Sequence, residues 1–529
     1  MPRRRSLSKL STLLLLLALS YHVSSLPFGA KSKKASADGE QDDDDPEIAA
    51  QQHAVQVPNS VRGAASTVSK REFAGTDSAI DAYFQSSASA TDASHALRDA
   101  IRQMANDDDM KAFLQETRRN LHRHPEVMYQ EDFTSRTIQA ILDELDISYT
   151  TGWSKNTHED VYSGKGGYGI VAHVGTGKAE QPCIILRADM DALPIHEATK
   201  DIEAFKSQTE GKMHACGHDG HVTMLLGAAA LLKKMEPEIQ HGTIRLVFQP
   251  AEEGGAGMKR MVEEGLLDLE PKAQEAFGMH VWPTLPTGAV ASRPGPLLAA
   301  AETFEIHISG KGGHAAMPHL TIDPIVAASA LVGNLQTIVS RTVSPLESGV
   351  ISVTQMSAGD AFNVIPAEAM LRGTIRALSN ERLIDLRTRV EDMLHATATV
   401  HGCTATIKFS PDYYPPTLNN EALFEWSKDV GALVSREGIM RDIEPTMGGE
   451  DFAFLAQEVP STFFLVGQGS GGNTNAKYHV PRTDFGLHHP SFALDEEVMP
   501  VGAELHVNVA LRALKRLAFD DEGTVKVEL

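Results

Sequence analysis

Two short runs, "CIILRADMDAL" from Cys183 and "TIRLVFQPAEEGG" from Thr243, are apolar at successive positions and flank a long apolar stretch, "GHVTMLLGAAALLKKM". A strand apolar on both faces must be covered on both, and helices lying between such strands in sequence supply that cover. The pattern therefore predicts an α/β fold, with a mostly parallel sheet flanked by helices. At 529 residues the chain is too long for a single hydrophobic core, so two or three structured units are expected.

Between Ala300 and Pro411 the rhythm changes. Phe304, Ile306 and Ile308 alternate in "ETFEIHISG", a helical stretch follows from Asp323 to Arg341, and strands are predicted at "GVISVTQMSAG" and "AEAMLRGTIRAL", then a second helix and a last strand. Strand, helix, strand, strand, helix, strand is the ferredoxin-like order. It predicts an α+β lid over 300–412, inserted between two parts of a catalytic domain at 107–299 and 413–518, with a tail at 519–529. Hinges are expected near Ala300 and at Pro411 to Leu418, and an exposed lid edge strand would favour pairing into a homodimer.

The start of the chain, "MPRRRSLSKLSTLLLLLALSYHVSS", orders basic, apolar and small residues as a secretory signal peptide does, and residues 1–26 are read as one. A retained anchor is the alternative reading; no other stretch is long and apolar enough to span a bilayer. Secretory entry makes the ER lumen or the exterior the expected location, and the final "KVEL" is a degenerate form of an ER-retrieval tetrapeptide. Residues 27–106 are rich in Ser, Ala, Gly and Asp and carry the run "DDDDPE"; they are expected to form a disordered linker, order beginning near Asp107. A net charge of −22 excludes nucleic acid as a partner, because counterion release would not reward binding.

Only three cysteines occur, Cys183, Cys216 and Cys403, an odd and scattered set that makes no disulfide framework. One of them lies in "MHACGHDGH" beside three histidines. Cys216 and His218 there, Glu252 and Glu253 in "QPAEEGG", His280 in "FGMHVWP" and His488 in "LHHPSF" are metal-type side chains at apparent strand ends or helix starts, and the carboxyl ends of strands are where ligands gather in an α/β sheet. Neighbouring side chains in an extended segment point apart. One glutamate can thus bind metal while the other, free of it, takes a proton from the attacking water. Asp189 and Asp191 share one face of a strand end and could orient the histidines. Taken singly, each of these residues is more often structural; their conjunction outweighs that reading. His214, His221 and His489 read as neighbours or packing residues.

The order of "RRNLHRHPE", "RADMDALPI", "MHACGHDGH", "QPAEEGGAGMKRMVEEG", "GMHVWP", "GKGGHAAMPH", "NVIPAEAMLRGTIRAL" and "GGEDFAF" resembles the amidohydrolase branch of the metal-dependent aminoacylase and carboxypeptidase superfamily, above all the indole-3-acetic acid-amino acid conjugate hydrolases and the hippurate hydrolases. The resemblance spans about Asp107 to Ala518. It implies a two-domain fold with two divalent metal ions, manganese or zinc. It also implies Cys216, His218, Glu253, His280 and His488 as ligands, and Glu252 as general base. His488 is preferred to His489 because the motif places a histidine two residues before proline. His314 matches a lid histidine that polarises the scissile carbonyl, sometimes from a partner subunit, and Asn363 is a second polar lid contact or a packing residue. The implied reaction is hydrolysis of a small-molecule N-acyl amino acid. A dipeptidase or carboxypeptidase, and a non-catalytic binding protein on the same fold, are the rival readings.

Overall fold

The computed structural model describes residues 56–72, 76–86, 91–200, 202–469 and 485–519. The predicted signal segment, the acidic run and the terminal "KVEL" lie outside them.

Three helices come first, Asn59–Lys70 (α1), Thr76–Gln85 (α2) and Thr91–Ala105 (α3). Asp108–Arg123 (α4) is started by Asp107, whose carboxylate accepts from the Asp109 amide at 3.1 Å, and it stops just before Pro125. Then follow Asp132–Glu144 (α5), Tyr149–Lys155 (β1), Gly166–Gly175 (β2), Cys183–Asp189 (β3), His218–Lys234 (α6), Thr243–Gln249 (β4), Gly257–Glu263 (α7), Ala273–Pro286 (β5), Val290–Ser292 (β6) and Gly295–Leu298 (β7). The inserted part contains Ala300–Ser309 (β8), Gly313–His314 (β9), Pro324–Thr342 (α8), Gly349–Ser357 (β10), Val364–Ile365 (β11), Glu368–Ala377 (β12), Asn380–Val400 (α9) and Thr404–Phe409 (β13). The chain returns through Thr417–Asn419 (β14), Glu421–Val434 (α10), Met440–Asp442 (β15), Phe452–Glu458 (α11), Ser461–Gly469 (β16) and Met499–Ala518 (α12).

The main sheet runs β1-β2-β4-β3-β5-β16-β6-β15. Its centre, β4, β3, β5 and β16, is parallel, and every residue of β3 and β4 is buried, as strands covered on both faces require. Helix α6 is apolar all round because it lies inside the body, packed against α4, α12 and β3. The lid sheet is antiparallel in the order β10-β12-β8-β13, with α8 and α9 packed on it, which is the ferredoxin-like arrangement. Phe304, Ile306 and Ile308 of β8 face that second core.

The segment 56–105 is not a linker. Val61, Ala65 and Val68 of α1, Ile80 of α2, and Leu97, Ile101 and Met104 of α3 are buried in the main core. Their spacing is helical, but the polar residues between them dilute the composition that argued for disorder. Basic side chains of the last helix lock the extension in place: Arg512 donates to the Ser94 hydroxyl and carbonyl at 2.6 and 2.8 Å, and Lys515 Nζ caps the end of α2 at Ser86 O at 2.9 Å.

Candidate metal centre and catalytic cleft

Five side chains from four segments meet at the carboxyl ends of β3, β4 and β5. Gly217, at φ 97°, turns the chain into α6 so that Cys216 and His218 flank the helix start; a Cβ at Gly217 would lie 2.5 Å from Val281 Cγ2. Cys216 Sγ is 3.2 Å from His280 Nε2 and 3.3 Å from His488 Nε2. His488 Nε2 is in turn 3.3 Å from Glu253 Oε1, which lies 3.9 Å from His218 Nε2. Donor atoms of Cys216, His218 and His280 fall within 4.8 Å of one another, as do those of Cys216, Glu253 and His488. The thiol thus belongs to both groups, and Glu252 forms a further one with His218 and Glu253. His218 Nε2 is buried and makes no hydrogen bond among the described residues, so this donor set fits a metal pair. His489 turns away and stacks on Phe485 with ring centroids 4.4 Å apart.

The two aspartates hold this set from behind. Asp191 accepts the amides of Glu252 and Glu253 at 3.0 and 2.9 Å, and its Oδ1 is 3.3 Å from His218 Nδ1. Asp189 accepts from His221 Nδ1 at 2.6 Å, which leaves His221 Nε2 to accept the Val281 amide at 3.0 Å beside His280. His221 is therefore more than a packing residue. Burial works against a charge on His218, but Asp189 and Asp191 outweigh it and raise its pKa to about 10. That position favours positive charge.

Glu252 sits in a sharp turn. Ala251 and Ala256 adopt φ 58° and 56°, a conformation that costs a residue with a side chain about 1–2 kcal/mol, and Gly254 is at φ 103°. Buried side chains from distant segments hold the turn: Glu131 accepts the Ala251 amide at 2.9 Å, Tyr129 donates to Gly255 O, and Tyr414 contacts three backbone groups. Behind it Arg187 pairs with Asp189, Glu450 and Asp451 at 2.8, 2.9 and 3.0 Å, and Gln249 Nε2 donates to both Asp451 oxygens at 2.8 Å. Burial, then the neighbouring Glu450 and Glu253 charges, push the Glu252 carboxyl well above the usual range.

These groups open into a cleft of about 660 Å³. Its walls include Met128, Tyr162, Trp282, Leu298 and Leu487, together with Arg376 from lid strand β12. The Arg376 guanidinium makes no ion pair or hydrogen bond among the described residues, and the Glu252 charge acts on it at longer range. His314 and Asn363 are not brought to the cleft in this conformation. They lie side by side in the exposed lid ribbon of β9 and β11, where the Ala315 amide donates to Asn363 O at 2.9 Å and the Ala316 amide to His314 Nδ1 at 3.1 Å.

Sequence reasoning missed Glu131, Arg187, Arg376, Tyr414, Glu450 and Asp451. "GGEDF" was a visible signal for the last two, since adjacent acids ahead of an apolar run are costly unless a buried cation meets them. A further buried network joins the first motif to the third: His122 bonds Asp219 at 2.8 Å and Glu197 at 2.9 Å, and Arg118 Nε lies 2.9 Å from Asp219, bracing the start of α6.

Clusters of Cys, His and Glu donors that could hold divalent cations, with further buried carboxylates beside them, are the setting of a metal-dependent hydrolase. The model of Peptidase family M20/M25/M40 matches residues 185–512, and the chain belongs to that family. The chain is 43% identical over 404 residues to the IAA-amino acid hydrolase ILR1-like 4 of Arabidopsis thaliana, covering 76% of this chain and 85% of that protein. It is 36% identical over 400 residues to the N-acetylcysteine deacetylase of Bacillus subtilis, covering 76% and 96%. Among solved structures, the Bacillus subtilis YXEP protein, described as a dinuclear metal-binding peptidase from the M20 family, superposes with a TM-score of 0.60 at 33% identity, covering 77% of this chain and 99% of that one.

Proposed function

We propose that this chain hydrolyses the amide bond of N-acyl amino acids, releasing the free amino acid and a carboxylic acid. The observation that carries this reading is Arg376: a guanidinium with no ion-pair or hydrogen-bond partner among the described residues, in the same cleft as Glu252 and beside apolar and aromatic walls, suits a substrate with one carboxylate and a bulky apolar acyl group.

Cys216, His218, Glu253, His280 and His488 would hold the two divalent ions, manganese or zinc. Bound there, the ions supply Lewis acidity that acidifies water and polarises the amide carbonyl. Glu252 takes the proton of the attacking water and returns it to the leaving nitrogen. Asp189 and Asp191 fix the rings and the turn that surround the reacting atoms. Lid closure, or a second copy pairing through the lid, carries His314 to the carbonyl oxygen with Asn363 beside it. Residues 1–26 direct the chain into the secretory pathway.

The test is amino acid release from aromatic and acetyl N-acyl amino acids and from plain dipeptides, using metal-loaded protein that retains residues 56–105, because that segment is part of the core. Preference for an N-acyl class supports the reading. Cleavage of dipeptides alone would move the activity to a peptidase, and no release from any substrate would revive the binding-protein alternative.

A further inference from the structure

The turn that carries Glu252 is tied to the lid hinge by one side chain. Tyr414 lies in the segment that leaves the lid, and its backbone pairs with Ala301 at the lid entrance, each amide donating to the other's carbonyl at 2.8 Å. Its buried hydroxyl uses its full hydrogen-bonding capacity on the turn: it donates to Glu252 O at 2.6 Å and accepts from the Gly254 and Ala256 amides, both at 3.0 Å. Two residues upstream, Asp412 is anchored to Arg260 and, at 2.9 Å, to Lys259 of α7, so the exit strand is bolted to the catalytic body at this point. Just on the lid side, the Ser410 amide still donates to Thr303 O at 3.0 Å. Tyr414 is thus bonded through its backbone to lid strand β8 and through its hydroxyl to the turn.

We infer that Tyr414 is a positioning residue for amide hydrolysis, its hydroxyl fixing the backbone that aims the Glu252 carboxylate and linking that aim to the lid hinge. The inference rests on the reading of Glu252 as general base. The other clamps on the turn divide the work differently. Asp191 holds the Glu252 and Glu253 amides and Glu131 the Ala251 amide, so these anchors remain when the phenol oxygen is removed. What loses a partner is the Gly254 amide, the amide of the left-handed Ala256 and one of the two donors on the Glu252 carbonyl, the Gly254 amide at 2.7 Å remaining as the other. The ring also packs edge-on against Phe454 at 5.9 Å, a contact that phenylalanine would preserve.

The experiment compares Tyr414→Phe, the double variant Tyr414→Phe with Ala256→Gly, and Glu252→Gln, all as full-length metal-loaded protein, measuring kcat, KM and bound metal. Tyr414→Phe should lower kcat about tenfold to hundredfold, the scale of a small misplacement of a reacting group, with KM and metal stoichiometry within about twofold. Glycine adopts the left-handed conformation without steric cost, so the double variant should recover part of the lost kcat. An unchanged kcat in Tyr414→Phe while Glu252→Gln is inactive overturns the inference and leaves the base reading intact. An active Glu252→Gln overturns the base reading and the inference with it. Loss of metal or of the folded state in Tyr414→Phe, or a double variant no better than the single, assigns the tyrosine a purely structural role and also overturns it.

Discussion

Replacing Arg102 by alanine tests whether the N-terminal helices belong to the catalytic body. Arg102 Nε donates to Glu504 Oε1 at 2.9 Å, and a second nitrogen donates to Leu433 O and Val434 O at 3.1 and 2.9 Å, where α10 ends. The Glu504 side chain is fully buried, and its other cationic partner among the described residues is Arg436 at 2.7 Å. A hydrogen bond to a charged group contributes about 1.5–3 kcal/mol, and the 33% exposure of Arg102 places this pair at the low end. With the two carbonyl bonds, the expected loss is about 2–4 kcal/mol. Burial lifts the Glu504 carboxyl above its ordinary value, while Arg436 and Arg102 pull it back. Between the unfolded and the native pKa of this group the native state binds more protons than the unfolded state, so stability falls as pH rises through that interval. Removing Arg102 raises the native pKa further, so the variant's deficit should widen as pH rises above the ordinary carboxylate range, compared at an acidic and a mildly alkaline pH. Urea midpoints followed by tryptophan fluorescence at the two pH values measure this. An unshifted midpoint at the higher pH, or a larger deficit at the lower one, would refute the reasoning.

Glu252→Gln should cut hydrolysis by about 10²- to 10⁴-fold while metal content, measured by elemental analysis, stays at the native ratio; retained turnover removes Glu252 from the proton path. Cys216→Ala takes a donor from both triads and should lower bound metal, so an unchanged stoichiometry would end its role as a shared ligand. Arg376→Ala should raise KM for N-acyl amino acids by about tenfold to hundredfold, the scale of a lost charged hydrogen bond, and leave the same compounds with a blocked carboxylate nearly unaffected. Equal effects on both substrate sets would argue against carboxylate recognition.

The parts of the site legible in the sequence were those written locally. Cys216 and His218 share one motif, Glu252 and Glu253 are adjacent, and each of these pairs sits where a strand ends or a helix begins. Arg376, Tyr414 and Glu131 were not legible, because each acts on a turn or cleft more than a hundred residues away in sequence and lies in a segment with no unusual composition. The lid's ferredoxin-like order could be read from the alternation in β8 and the helix spacing after it. The helices of 56–105 could not, since Val61, Ala65 and Val68 are too few among Ser, Gly and Thr to shift a composition, though their spacing matches one helix face.

The same contrast explains the electrostatics of the centre. Asp189, Glu450 and Asp451 all converge on Arg187, so one guanidinium answers three buried carboxylates, and Asp451 is left raised to about 8, burial being the largest cause. Glu252 and Glu253 stand beside this group, and Cys216 is pushed up by burial and then by those two glutamates. Such an excess of anionic groups in a buried pocket is costly unless cations or protons neutralise it. The Cys, His and Glu donors offer a place for cations, and on the proposed reading Glu252, outside the two groups that contain Cys216 though within reach of His218 and Glu253, is the carboxylate that exchanges a proton. On that reading the strained backbone at Ala251 and Ala256 is the feature that would separate two adjacent glutamates into two roles, and the side chains of Glu131, Asp191, Tyr129 and Tyr414 are what keep it strained.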